Sequence, residues 1–177
     1  MNIFKENSGQ VLVETMVALT MVTIGLLGIL SLLSYSIGLN KVVSDQYVAS
    51  YIAAEGIEIV KNIIDNNVVS GNPYNTGLDS PGNYIADYKS TSLTPVDSTN
   101  NVPLRFDNCS SLGATMKYAY IQDCICVNTA AQTSFKRTIN ISYYDINEMI
   151  VKSTVDWTSR GGITGEIVVE DHFYNWR

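Results

Sequence analysis

The sequence is poor in charged residues, and one long stretch has none. Only 16% of the 177 residues are charged, whereas about a quarter is usual in soluble domains. No charged residue occurs between Glu14 and Lys41. The net charge of −6 disfavours sequence-independent binding to nucleic-acid backbones. A hydrophobic content of 46% excludes an acidic disordered chain. It also indicates that part of the protein surface is shielded from water.

Histidine and cysteine are scarce as well. His172 is the single histidine, and three cysteines with unsuitable spacing do not make a Cys/His zinc site. A catalytic Cys–His or Ser–His pair would need His172, which lies beside Glu170 and Asp171 on the polar side of a predicted strand. The loop acids lack an EF-hand pattern, and we expect them to be solvated: Asp79, Asp87, Asp97 and Asp107. We therefore predict no metal, no cofactor and no enzymatic activity.

The charge-free stretch is long enough to cross a membrane. Residues 15–40, here called the apolar segment, read TMVALTMVTIGLLGILSLLSYSIGLN. A bilayer core needs about 20 helical residues, and backbone groups in lipid must be paired internally. We predict a transmembrane helix over about residues 11–34. A cleaved secretory signal is the alternative, but its apolar region would span only about 7–15 residues.

Residues 40–67 predict an amphipathic continuation of the same helix. One helical face repeats small and aliphatic residues at spacings of three, four and seven, namely Val42, Ala49, Ala53, Gly56, Val60 and Ile63. The opposite side carries polar residues, namely Glu55, Glu58, Lys61, Asn62 and Asp65. No proline precedes Pro73, so we predict one helix over residues 10–67 that ends at Asn66-Asn67 and the following Gly71-Asn72-Pro73.

Residues 68–177 predict a globular head in two parts. All four prolines fall within residues 70–114, a loop-rich region with at most short strands. From residue 117 the hydrophobic period becomes two, with strand candidates at 118–127, 135–145, 149–158 and 163–173. We predict an antiparallel sheet over residues 117–177 whose apolar face packs on the amphipathic half of the helix. The fold class is therefore α+β.

The first fourteen residues carry a short, position-specific pattern. A hydrophilic leader ends at Gly9, Gln10 follows it, and Glu14 stands five residues after Gly9, directly before the apolar segment. This pattern resembles the class III signal of type IV pilins and pilin-like proteins. The helical stretch Tyr51–Ile63 and the ending VDWTSRGG…IVVEDHFYNWR are similar to the same group, with weaker specificity.

The resemblance implies a processing route. An aspartyl prepilin peptidase would remove residues 1–9 on the cytoplasmic side. Gln10, where the family usually has Phe, would then become the N-terminus and the site of N-methylation. The precursor would cross the inner membrane once, with the head outside the cytoplasm, and would reach the cell surface in a pilus. The implied partners are other pilin subunits, the peptidase, the inner-membrane assembly platform and the lipid bilayer.

Glu14 has a physical reason to find a partner. A carboxylate within the membrane costs about 2.5–3.5 kcal/mol on insertion scales. The thirteen Leu, Ile and Val residues between Val11 and Leu33 offset this at about 0.3–0.6 kcal/mol each. After cleavage, the Gln10 amine of the same or a neighbouring chain can pair with Glu14, which would favour assembly. The alternative is an interfacial glutamate solvated by lipid headgroups.

Two glycines and three cysteines complete the candidate residues. Gly25 and Gly28 each weaken a helix by about 1 kcal/mol relative to Ala. The resemblance implies that this region unwinds when a subunit leaves the bilayer, whereas ordinary glycine usage is the alternative. Outside the cytoplasm, Cys109 can form a disulfide with Cys124 or Cys126, leaving one thiol over. Three reduced, buried thiols are the alternative.

We expect a structural subunit of a type IV pilus or pilus-like filament, specifically a minor pilin, with a head that serves adhesion, DNA capture or partner contact. One alternative is a pseudopilin of a type II secretion system, with the same fold and processing. A second alternative is a single-pass membrane-anchored binding domain that never polymerises.

Overall fold

A computed structural model describes residues 8–88, 90–97, 101–106, 120–121, 133–159 and 162–175. Within these residues the chain forms one α-helix followed by seven β-strands, which confirms the predicted α+β class. The chain divides into two compact units, Met1–Val43 and Ser44–Arg177.

Helix α1 spans Ser8–Val69 and contributes residues to both units. Two residues after its last residue stands Gly71, whose φ of 76° a residue with a Cβ would rarely adopt. The amide of Asn72 donates to the carbonyl of Asn67 at 2.9 Å, and that of Gly71 to Val68 at 3.1 Å. These two bonds form a Schellman motif, which satisfies carbonyls at the helix end.

Asn67 lies within the helix and does not end it, so α1 runs two residues past the predicted terminus. Its buried side-chain amide donates to the carbonyls of Tyr74 and Thr76 at 3.2 and 2.9 Å. Asn67 therefore joins the end of the helix to the loop that follows.

The strands form one large sheet and one small sheet, all antiparallel. Their bounds are β1 Gly82–Ile85, β2 Thr94–Pro95, β3 Arg105–Phe106, β4 Tyr120–Ile121, β5 Phe135–Asp145, β6 Glu148–Thr158 and β7 Thr164–Tyr174. The large sheet has the order β2-β1-β5-β6-β7, and β3 pairs with β4 separately. The predicted meander is thus confirmed for β5, β6 and β7.

Two details of the sheet differ from the sequence prediction. The strand that flanks β5 opposite β6 is β1, which comes from the loop-rich region. The described part of the 118–127 candidate is Tyr120–Ile121, which pairs with β3 instead of joining the meander. Residues 118–119 and 122–127 lie outside the described residues. The short β1 strand carries alternation too brief to distinguish it from a loop in sequence.

Helix α1 packs its buried face on the inner face of the large sheet. One cluster joins Val60 and Ile63 of the helix to Ile139, Ile141 and Val151 of the sheet. A second cluster joins Ala49, Ile52 and Ala53 to Phe135, Val155 and Trp157. The predicted packing of the amphipathic helix on the apolar sheet face is confirmed.

Small residues on the helix permit a close approach to the sheet. A Cβ added to Gly56 would overlap Oγ of Ser153 and lie 3.1 Å from Cδ of Arg137. Ala53 and Ala49, one and two turns earlier on the same face, are fully buried. Glycine at position 56 is therefore required by the sheet side chains beneath the helix, since helical φ makes no demand for it.

Candidate functional site

The apolar segment is exposed on every side within this chain. Every large hydrophobic side chain of the segment is 47–72% exposed. A soluble monomer rarely exposes a continuous apolar surface of this extent. Within the described residues, α1 is the one helix long and apolar enough to span a bilayer. The segment can therefore anchor the protein in a membrane or bind other apolar helices.

Four hydroxyl groups of this segment are satisfied by the helix itself. Thr15, Thr20 and Thr23 donate to the carbonyls three residues before them at 2.8–2.9 Å. Ser34 donates to the carbonyl of Leu30 at 3.0 Å. Such back-bonding removes the need for a polar partner outside the helix. The segment is thus more apolar in effect than its composition indicates.

The residues of the leader pattern lie in the first turns of α1. Gly9, Gln10 and Glu14 are all exposed, and helix α1 begins one residue before Gly9. A Cβ built on Gly9 would meet nothing within 4 Å, so no described neighbour restricts access to this position. Glu14 makes no hydrogen bond or ion pair with the described part of the chain. Its predicted partner, the Gln10 amine of the same or a neighbouring chain, stays a prediction.

The remaining predicted site residues divide into two groups. Gly25 and Gly28 lie in unbroken helix, with nothing within 4 Å of an added Cβ. Their predicted role in unwinding stays a prediction. Cys109, Cys124 and Cys126 fall outside the described residues, so their pairing also stays a prediction.

A buried arginine in the head escaped the sequence analysis. Arg137 of β5 is fully buried and donates to the Ala86 and Ile52 carbonyls at 2.5 and 3.1 Å. It also forms an ion pair with Glu55 at 3.1 Å. The guanidinium therefore links β5 to the helix and to the segment after β1. Strand alternation indicated that the Arg137 side chain faces the core, because position 137 falls on the same face as Ile139 and Ile141.

Two predictions about acidic residues are corrected by this network. Glu55, placed on the polar side of the helix by its spacing, lies at the border of the buried face with its side chain 31% exposed. Asp87, expected to be solvated, is only 8% exposed. Burial lowers the pKa of Arg137, while Glu55 and then Asp87 oppose that shift. The buried positive charge of Arg137 explains why both acids are less exposed than predicted.

A second buried polar contact ties the helix to the turn between β6 and β7. Oγ of Ser159 donates to a carboxylate oxygen of Asp45 at 2.6 Å, and both residues are buried. The Ser159 amide donates to the carbonyl of Ile163 at 2.8 Å, and Gly162 adopts a φ of 80°. The predicted turn at 159–162 therefore holds its hydroxyl against the helix.

The exposed end of the β6–β7 hairpin carries a group of titratable side chains. His172 contacts Glu148 through Nδ1 at 2.6 Å and Glu170 through Nε2 at 3.2 Å. Lys152 pairs with Glu170 at 2.9 Å, and the Tyr174 hydroxyl donates to Glu148 at 3.0 Å. The hydrogen bond to Glu148 is the main cause that raises the pKa of His172.

This group is organised for cross-strand pairing. The two carboxylates occupy opposite ring nitrogens of His172, so they do not converge on one point. Among the described residues, no cluster of His, Cys, Asp and Glu has metal-binding geometry. His172 therefore fastens β7, the edge strand of the large sheet, to β6.

Comparison with known proteins does not extend these observations. A scan of protein-family models, a search of curated proteins and a search of solved structures each find no match to the chain. The structure combines a long apolar N-terminal helix with a C-terminal antiparallel sheet, a layout compatible with that of pilin-like proteins.

Proposed function

We propose that the protein is a pilin-like subunit that is held in the inner membrane as a precursor and assembles into a type IV filament. The apolar segment is both the membrane anchor and the surface through which subunits pack. In this mechanism residues 1–9 are removed by a prepilin peptidase. The segment then exchanges lipid for the same segment of other subunits, so that burial of apolar surface stabilises the filament.

The observation that carries this proposal is the exposure of the apolar segment on all its sides, together with one acid at its start. A helix that packs only on its own head has one apolar face, whereas this segment is uncharged and exposed around its circumference. Glu14 is five residues after Gly9, where it can pair with a new amine. Such a pair neutralises two charges that apolar surroundings would otherwise disfavour.

The experiment compares the full chain with two glutamate variants in cells. N-terminal sequencing of the mature protein should begin at Gln10, and sheared surface filaments should contain the chain. We expect Glu14→Gln to leave the chain in the membrane and to lower its amount in filaments by at least about tenfold, a change equivalent to about 1.4 kcal/mol. Glu58→Gln is the matched control, since Glu58 is an exposed glutamate of the same helix.

Three results would contradict the proposal. A mature protein that retains Met1 would show that the leader is not removed. Absence of the chain from all surface filaments, with every copy in the membrane, would favour the single-pass anchored binding domain. Equal incorporation of Glu14→Gln and Glu58→Gln would remove the role of the charge pair.

A further inference from the structure

Strand β7 has a hydrogen-bonding edge that no other strand covers in the part of the chain that the structure describes. It lies at the end of the strand order β2-β1-β5-β6-β7 and spans Thr164–Tyr174. The opposite edge of the sheet is β2, which has only two residues and includes Pro95. Because short strands and proline discourage further pairing, β7 is the edge of this sheet that can accept another strand.

The pairing with β6 shows which backbone groups of β7 point outward. In an antiparallel pair, residues that face each other alternate between hydrogen-bonded and non-hydrogen-bonded positions. At one end of the β6–β7 hairpin, the Ser159 amide donates to the Ile163 carbonyl at 2.8 Å. At the other end, the Asn175 amide donates to the Asn147 carbonyl at 2.9 Å. Since the register between the strands is unbroken, the odd-numbered residues of β7 bond to β6, and the even-numbered residues point their amides and carbonyls outward.

Asp171 limits the open part of this edge. Its carboxylate accepts a hydrogen bond from the outward amide of His172 at 2.9 Å, so that donor is already satisfied. No described group bonds to the outward amides and carbonyls of the even-numbered residues before it, namely Thr164, Glu166, Val168 and Glu170. We call residues 164–170 the free edge.

The side chains of the free edge are aliphatic on the inner face of the sheet and acidic on the outer face. Ile167 and Val169 pack against the core clusters and remain half-buried. Glu166 and Glu170 lie on the outer face and are exposed, with Val168 between them at 49% exposure. A strand added here would continue the sheet and cover the exposed part of the inner aliphatic side chains.

The acids of β7 indicate the charge of a partner strand. Glu170 already pairs with Lys152 at 2.9 Å. Glu166 makes no hydrogen bond or ion pair with the described residues. β7 carries three acidic residues and neither lysine nor arginine, so a second copy of β7 would bring like charges together across the strands. A strand with lysine or arginine opposite Glu166 is complementary instead.

We propose that the free edge of β7 binds an extended segment of a different protein by β-strand addition. That segment has aliphatic side chains toward the inner face of the sheet and a lysine or arginine opposite Glu166. Main-chain hydrogen bonds to the even-numbered residues supply affinity, and the positive charge supplies selectivity. The inference concerns the head alone, so it goes beyond the proposed function and does not depend on filament assembly.

Peptide binding to the full chain in detergent micelles tests this contact. The probe is a fluorescent peptide of about eight residues, the length of an ordinary strand, in which valine alternates with threonine or lysine. N-methylation of the amides along one side prevents the peptide from pairing with itself. We expect saturable binding by fluorescence anisotropy, and at least about tenfold weaker binding when glutamate replaces lysine. A peptide N-methylated along both sides is the control and should not bind.

Amide hydrogen exchange followed by NMR locates the peptide on the chain. Without peptide, the even-numbered amides of residues 164–170 should exchange rapidly, while the odd-numbered amides are protected by β6. The peptide should protect the even-numbered amides and leave the odd-numbered ones as they were. Protection of the even-numbered amides before peptide is added would show that the chain itself or a second copy covers the edge, and would overturn the proposal.

A pair of substitutions at position 168 tests the role of the backbone. Val168→Pro removes an outward amide that does not bond to β6, so it should weaken peptide binding at least about tenfold. Val168→Thr keeps the amide and should bind like the unsubstituted chain. The urea midpoint and the pKa of His172 show whether the hairpin is retained in Val168→Pro. If it is lost, the exchange pattern and the doubly methylated peptide decide the matter.

A second pair of substitutions tests the role of charge. Glu166→Lys should reverse the preference, so that the glutamate peptide binds more tightly than the lysine peptide. Glu58→Lys makes the same change of net charge on the helix and should not reverse it. Equal binding of the two peptides to the unsubstituted chain would overturn the charge complementarity. Absence of saturable binding at about 1 mM lysine peptide, or equal binding by Val168→Pro and Val168→Thr with the hairpin retained, would overturn strand addition itself.

Discussion

The Arg137 guanidinium on β5 donates a hydrogen bond to the Ile52 carbonyl oxygen, in the middle of helix α1, at 3.1 Å. The approach depends on Gly56, one turn after Ile52, because a Cβ there would lie 3.1 Å from Cδ of Arg137. Glu55 receives a second hydrogen bond from the same Nη1 atom. The contact between helix and sheet therefore combines apolar packing with a buried, charged fastening.

Removal of the Glu55 carboxylate should destabilise the head. In Glu55→Ala the buried Arg137 loses its ion pair, and we expect the free energy of unfolding to fall by about 1.5–3 kcal/mol, as for hydrogen bonds to charged groups. Urea unfolding of the full chain in detergent micelles, followed by tryptophan fluorescence, measures the change. Glu58→Ala is the control and should change the value by less than about 1 kcal/mol, because its ion pair is exposed. Equal effects would show that burial of Arg137 does not matter.

A methyl group at position 165 should disrupt packing at the end of the sheet. An added Cβ on Gly165 would overlap three atoms of the Trp157 indole, which packs against Phe135 with ring centroids 6.3 Å apart. We expect Gly165→Ala to cost about 1–3 kcal/mol through overpacking. In the control Gly82→Ala, the nearest atoms lie 3.7–3.9 Å from the new Cβ, an ordinary contact. The same urea titration would refute this prediction if Gly165→Ala and Gly82→Ala had the same urea midpoint.

His172 should make stability depend on pH above the ordinary histidine range. Its pKa is raised above 6.5, chiefly by the hydrogen bond to Glu148. The protonated form is therefore favoured by folding, so its contribution is complete below pH 6.5 and is lost as pH rises through the folded-state pKa. A pH titration of the single histidine by NMR measures this value directly.

Two glutamate substitutions identify the cause of the raised pKa. Glu148→Gln should lower the pKa of His172 toward 6.5, because it replaces the charged acceptor of the protonated ring with a neutral amide oxygen. Glu166→Gln changes an exposed acid on β7, the strand that carries His172, and should leave that pKa where it was. A pKa of His172 that responds equally to both would indicate a general effect of net charge.

The sequence predicted the parts of the head that follow a simple period. Strands β5 to β7 alternate over eleven residues each, so hydrophobic residues identify the buried face directly. Arg137 occupies an inward position of β5 in that alternation, but the pattern does not show which groups would pair with its buried charge. Its partners come from 51 to 85 residues away in the chain, so only the folded arrangement shows how it is satisfied.

Of the candidate site, the sequence predicts the apolar segment but cannot establish the roles of the leader residues. The apolar segment is evident in sequence because absence of charge over a bilayer-length helix has few explanations. The roles of Gly9, Gln10 and Glu14 stay predictions, since a signal that another protein recognises leaves no contact within its own chain.

The inward-turned hydroxyls of Thr15, Thr20, Thr23 and Ser34 have one more consequence. Because each already bonds to its own backbone, these four hydroxyls need no polar partner outside the helix, whether lipid or other helices surround this rod-like segment. Moving it from one oily environment to another leaves these bonds intact. Glu14, at the start of the rod, carries a charge, and it therefore stands to gain or lose a polar contact in such a transfer.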